Sequence, residues 1–180
     1  MRPPPLVARA QATARELGPD LSCSLEAGAL LHVLAARRGI ARVAEIGSGS
    51  GIAAAWIVSA LHPLTPFVTV AADQRRATEV ARLFERDPAV QVLAGDWREL
   101  LPPRAPFDLL VAHGGEKHPD VDVDQAVGLL TPGGTVVLVD PAHGRSGPDP
   151  VSELWLGHPW LSAVVVWTTP ATAVIVAVRI

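Results

Sequence analysis

The chain has a single cysteine, Cys23, among its 180 residues, so no internal disulfide can form. A lone thiol with no supporting motif agrees with a reducing compartment and gives no sign of redox chemistry. Charge is sparse as well. There are 15 Lys and Arg against 18 Asp and Glu, a net charge of -3, and no concentrated basic run. Such a surface lacks the electrostatic footprint of a protein that binds nucleic acid or an anionic membrane. No apolar run is long enough to cross a bilayer, and the opening MRPPPLVARA lacks the apolar core of a secretion signal. We found no internal repeat, low-complexity segment or dividing linker. The expectation is a soluble, cytoplasmic protein that acts on a small molecule.

What the chain does have is apolar residues in quantity, 49% of the total. At this length they suit one domain that buries about two thirds of its unfolded surface. Residues 1–38 read as two N-terminal cap helices. The first, Leu6 to Leu17, ends at Gly18-Pro19, and the second is capped by Ser24 and runs through Arg38 to a stop at Gly39. From residue 41 onward strand and helix signals alternate. Strands are expected at Arg42 to Ile46, Phe67 to Ala72, Val90 to Ala94, Asp108 to Ala112 and Thr135 to Val139. Helices are expected at Ile52 to Leu61, Arg75 to Arg86, Asp120 to Leu130 and, shorter, Val151 to Leu156. This is the pattern of parallel β-α-β units, and runs such as FDLLVA and TVVLV suit strands buried on both faces. Two β-rich runs, LSAVVVWTT and ATAVIVAVRI, separated by Pro170, suggest a closing antiparallel pair. The Gly- and Pro-rich segment Pro141 to Pro150 reads as a mobile surface loop.

The most informative stretch is Ala41 to Leu61, ARVAEIGSGSGIAAAWIVSAL, in which an apolar strand enters a glycine-rich turn and leaves as a helix. Glycine permits the tight turn and the close approach of a ligand, and a helix start offers unpaired N–H groups to polar ligand atoms. The dinucleotide fingerprint G-x-G-x-x-G/A, read from Gly47, needs Gly or Ala at position 52, where Ile52 stands. Pyrophosphate binding, and with it a nicotinamide-linked oxidoreductase, is disfavoured.

The spacing Glu45, Gly47, Gly49, Gly51 instead resembles the first motif of class I S-adenosylmethionine (SAM) methyltransferases. The order of elements resembles their seven-stranded, Rossmann-like α/β fold, mostly parallel with an antiparallel C-terminal strand and helices on both faces. Within that class the blocks SLEAGALLHVLA, FDLLVA and LLTPGGTVVLVD are similar to the small, cation-dependent catechol O-methyltransferase-like group. The resemblance implies SAM as cofactor, a small-molecule methyl acceptor and a tendency to dimerise, for which the apolar last two strands could serve. It also implies that Glu45, Gly47, Ser48, Gly49 and Gly51 face the methionine and sulfonium end of SAM.

Ligands of open α/β sheets sit beyond the carboxyl ends of the strands, which places Asp73 and Asp96 to meet ribose and adenine. The family's ribose-binding acid aligns with Ala71, so Asp73, two residues later, either reaches the hydroxyls or caps the next helix. Asp96 matches the adenine-side acid, and Trp97 either offers a flat surface to the base or packs in the core. The family's three oxygen ligands for magnesium align with His113, Asp140 and Pro141. Proline has no side-chain ligand and histidine suits a hard cation poorly, so the metal site is degenerate. His113, Asp140 and His143 could alternatively take zinc. The favoured reading is metal-independent in-line transfer with His113 as base, Asp140 orienting it, and Lys117 near the family's lysine. His113 could instead only bond the adjoining loop, and Lys117 could be merely solvated. The rival class is a non-catalytic SAM or S-adenosylhomocysteine binding or assembly protein, in which Ala71, His113 and Pro141 mark lost chemistry.

Overall fold

A computed structural model describes residues 2–17, 23–113, 121–139, 150–170 and 172–180. Seven strands form one sheet: β1 (Val43–Ile46), β2 (Phe67–Ala71), β3 (Val90–Ala94), β4 (Phe107–His113), β5 (Leu130–Val139), β6 (Leu161–Thr169) and β7 (Thr172–Arg179). Their order across the sheet is β3-β2-β1-β4-β5-β7-β6. The first five are parallel, and β7 pairs antiparallel with both β5 and β6. This is the expected seven-stranded, Rossmann-like architecture.

Two buried clusters sandwich the sheet, because successive side chains of a strand point to opposite faces. On one face Val43, Leu109, Val111 and Val137 meet helices α1 (Pro5–Leu17), α2 (Leu25–Ala35), α3 (Ile52–Val58) and α4 (Gln74–Leu83) through Val7, Leu31, Trp56 and Val80. On the other, Ala44, Ile46, Leu110 and Leu138 meet α5 (Trp97–Leu100), α6 (Val123–Gly128) and α7 (Pro150–Leu156) through Trp97, Ala126 and Trp155. Strand β1 is buried at all four positions, as central parallel strands covered on both faces must be.

Helix starts follow their caps. Ser24 accepts from the Ala27 N–H at 3.1 Å, as the sequence suggests. The helix it starts ends at Ala35 rather than Arg38, and α3 stops at Val58 rather than Leu61. Strand β5 starts five residues earlier than expected. Leu130 pairs with Phe107, and the chain crosses Thr131-Pro132-Gly133-Gly134 with a register irregularity before Thr135 pairs with Leu109. Gly133 supports that crossing with a φ of 77°. The first helix has Val7, Ala10 and Ala14 buried in the core. The segment expected to be a mobile loop, residues 141–149, lies outside the described residues.

Candidate functional site

The chain runs outward from β1 to β2 and β3, then returns to lay β4 on the other side of β1. The carboxyl ends of β1 and β4 therefore flank the point where the winding direction reverses, the place where open α/β sheets bind ligands. Three things meet the chain there: the glycine turn after β1, the ends of β2 and β3, and His113 as the last residue of β4.

The turn is built from left-handed glycines, with φ of 88° at Gly47, 50° at Gly49 and 81° at Gly51. The Gly47 and Ser48 N–H groups both donate to the Val70 carbonyl, at 3.0 and 3.1 Å, which seats the turn on β2. Gly51 serves packing. A Cβ there would lie 2.9 Å from Leu83 Cδ1 and 3.3 Å from Val80 Cγ1, so this glycine lets α3 approach α4. No side chain caps the start of α3, and the hydroxyl of Ser48 is buried without a hydrogen-bond partner. A water or a polar ligand would satisfy a buried hydroxyl in that state.

Glu45, expected at the methionine and sulfonium end of the cofactor, has partners within the protein. It is fully buried, and both carboxylate oxygens are taken within the protein. Thr69 Oγ1 donates to Oε2 at 2.5 Å, and His113 Nε2 lies 3.1 Å from Oε1. Strand register explains the cluster. Glu45 sits opposite Thr69 on β2 and Val111 on β4, and His113, two residues beyond Val111, points to the same face. Among the described residues, the hydrogen-bond partner of His113 is Glu45 on the neighbouring strand. Asp140 and Lys117, expected beside it, lie outside the described residues, as does His143. The other ring nitrogen of His113, Nδ1, is buried and has no hydrogen-bond partner among the described residues. Thr69 carried a signal that sequence reading passed over: it is the one polar residue in the buried strand FVTVA.

The remaining acids divide. Asp73 caps α4, accepting from the Arg76 N–H at 2.9 Å through Oδ1, with Oδ2 3.9 Å from the Arg76 guanidinium. Asp96 caps α5 through Oδ1, 2.8 Å from the Arg98 N–H, and its Oδ2 has no partner among the described residues. A cleft of about 350 Å3 opens beside it, lined by Ile46, Ala72, Gly95, Asp96, Trp97, Arg98 and Val121. Trp97 is only 8% exposed and belongs to the core, with the Arg98 guanidinium 5.1 Å above its ring. Packing is thus its main role, and it walls the cleft from below. Among the described residues, no group of three or more His, Cys, Asp or Glu side chains is placed to hold a metal ion.

A family profile described as protein-L-isoaspartate(D-aspartate) O-methyltransferase (PCMT) matches residues 18–145. The chain belongs to this family. With it come the class I O-methyltransferase assignment and SAM as the cofactor. A protein-L-isoaspartate O-methyltransferase of Methanopyrus kandleri is 33% identical over 123 residues, covering 64% of this chain and 48% of that protein. The chain thus spans about half of that relative. An inferred O-methyltransferase of Mycobacteroides abscessus is 28% identical over 148 residues, covering 77% of this chain and 69% of its own length. Among solved structures, the O-methyltransferase TomG of Streptomyces achromogenes, involved in tomaymycin synthesis and crystallised with SAM, superposes with a TM-score of 0.80. That match covers 99% of this chain and 91% of TomG at 23% identity, and speaks for the fold. The residues at the strand ends fit such a cofactor: a buried hydroxyl at Ser48 and a carboxylate oxygen at Asp96, neither with a partner among the described residues, and a cleft of small-molecule size lined by Ile46, Ala72 and Asp96.

Proposed function

We propose that this methyltransferase transfers a methyl group to a hydroxyl of a small molecule without a metal ion, using His113 as the general base. Gly47, Ser48 and Gly49 hold the methionine and sulfonium end of SAM, and Asp96, with the cleft walled by Trp97, takes the adenosine end. Asp73 and Glu45 have other partners, which leaves ribose recognition to the backbone near Ala72 and Asp73. When bound, SAM supplies an electrophilic methyl group that an in-line oxygen can displace. The protein's part is to hold the acceptor in that line and to accept its proton.

One observation carries the reading: an imidazole paired with a buried carboxylate stands at the end of β4, beside the glycine turn. The engagement of its Nε2 by Glu45 and the proline at position 141 both weigh against a magnesium site at the family's metal positions. Similarity to TomG, an enzyme of tomaymycin synthesis, and to O-methyltransferases at 28% identity favours a small acceptor. A homodimer is part of the same reading, with the uncharged outer strand β6 as its contact.

The PCMT match favours a second acceptor, the free α-carboxyl of an isoaspartyl residue in a peptide. A carboxylate is already ionised at neutral pH and needs no base, which separates the two readings. The test is calorimetric titration with SAM and with S-adenosylhomocysteine, each with and without magnesium. Labelled-methyl transfer to a panel of phenols and to an isoaspartyl peptide follows, with His113→Ala beside the wild type. The expected result is metal-independent binding, transfer to a phenol, and a loss of about 10²- to 10⁴-fold in His113→Ala. Transfer to the isoaspartyl peptide that His113→Ala leaves intact would establish the second reading. Binding without turnover on any acceptor would mark a non-catalytic SAM-binding protein.

A further inference from the structure

We propose that Thr69 and Glu45 are positioning residues that fix the tautomer of His113, so that Nδ1 carries the lone pair of the neutral ring. This rests on the proposed role of His113 as base. Glu45 is fully buried, and a buried carboxylate is tolerated only when its oxygens are hydrogen-bonded. Thr69 satisfies Oε2 by donating its hydroxyl. Oε1 is then left for His113 Nε2, 3.1 Å away. A carboxylate has no proton to give, so Nε2 must carry the hydrogen and donate it. The neutral ring consequently has its lone pair on Nδ1, a buried atom with no hydrogen-bond partner among the described residues.

The acceptor's O–H bond breaks as an N–H bond forms at Nδ1, and the proton stays on the ring until solvent removes it. The resulting imidazolium is stabilised by the Glu45 carboxylate at Nε2, as a carboxylate stabilises a protonated imidazole in other acid-base pairs. The polar chain runs Thr69–Glu45–His113 across three adjacent strands, β2, β1 and β4, which hold it rigidly. Among the described residues, Glu45 is the charged side chain within hydrogen-bonding distance of His113.

The test reads the tautomer directly. Protein labelled with 15N in its imidazoles is examined by long-range 1H–15N correlation at alkaline pH, without cofactor or acceptor, and the His113 signal is assigned by its loss in His113→Ala. The wild type is expected to show a protonated Nε2 and an unprotonated Nδ1. A protonated Nδ1 would overturn the proposal with no variant required. Thr69→Val, which keeps the shape and removes the donor, is expected to mix the two tautomers and Thr69→Ser to restore one. With the acceptor found above, Thr69→Val should lower kcat about tenfold, a part of what a general base contributes. The KM for SAM should be unchanged. An unaltered tautomer and kcat in Thr69→Val would sink the relay while leaving His113 as base, whereas the expected tautomer with no turnover on any hydroxyl acceptor would sink the base and spare the pairing.

Discussion

A Cβ built on Gly28 would stand 2.1 Å from Trp56 Nε1 and 2.3 Å from Cδ1, so α2 lies directly on the indole. Trp56 has no room to yield. It is fully buried, and the His32 ring meets it edge-on with centroids 6.1 Å apart. Gly28→Ala should therefore destabilise the fold by at least about 1–3 kcal/mol, the usual range for overpacking. Alanine's better helix propensity, worth about 1 kcal/mol, acts in the opposite direction. Urea unfolding measures the difference, and wild-type stability in the variant would mean that the two helices can part without cost. The sequence displayed such residues without showing what each does. Spacing marked Gly47, Gly49 and Gly51 as a set, yet Gly51 is small because Val80 and Leu83 press on it. Glu45 read as a cofactor contact because its partners, Thr69 and His113, lie 24 and 68 residues away, a relation only the sheet register supplies.

At the scale of elements, Asp108 at the start of β4 joins three strands. Its Oδ2 accepts from the Ala41 and Arg42 N–H groups at 2.8 and 3.0 Å, just before β1, and its Oδ1 accepts from Thr131 Oγ1 in β5 at 3.1 Å. Removing this carboxylate strands two backbone donors at the point where the central strand begins. Asp108→Ala should cost about 1–3 kcal/mol, with faster amide exchange at Ala41 and Arg42 than elsewhere in the β1 region. Protection unchanged at those two amides would show that water replaces the carboxylate. Continuous apolar runs made strands β1 to β4 legible to within a residue or two, with Val90–Ala94 read as it stands. Shorter pieces escaped this reading. The turn of helix at Trp97–Leu100 and the 3-10 turn at Pro102–Arg104 are too brief to show a period, and β5 extends through a Pro-Gly-Gly segment that local chemistry assigns to a loop.

For the molecule as a whole, a ligand that binds only the folded state adds to its stability. SAM at one hundred times its Kd should contribute about 2.7 kcal/mol, and a domain of this size should then melt roughly 5–10 °C higher. Differential scanning calorimetry with and without SAM reads this shift, and an unmoved Tm would contradict cofactor binding at the strand ends. The overall architecture was legible because each strand–helix unit announces itself locally and the glycine turn fixes which strand is first. The order β5-β7-β6 was not, since nothing local says that the later strand of a hairpin takes the inner place.

That inner place governs how the chain must be made. A ribosome delivers β6, the uncharged run LSAVVVWTT, before β7, yet β6 joins the sheet only through β7. During translation β6 is an apolar segment without a strand to receive it, the kind of segment a holding chaperone binds. A premature stop within Thr172–Arg179 would do more than shorten the protein, because it removes the link between β5 and β6, turns β5 into a raw edge and leaves β6 without a partner strand.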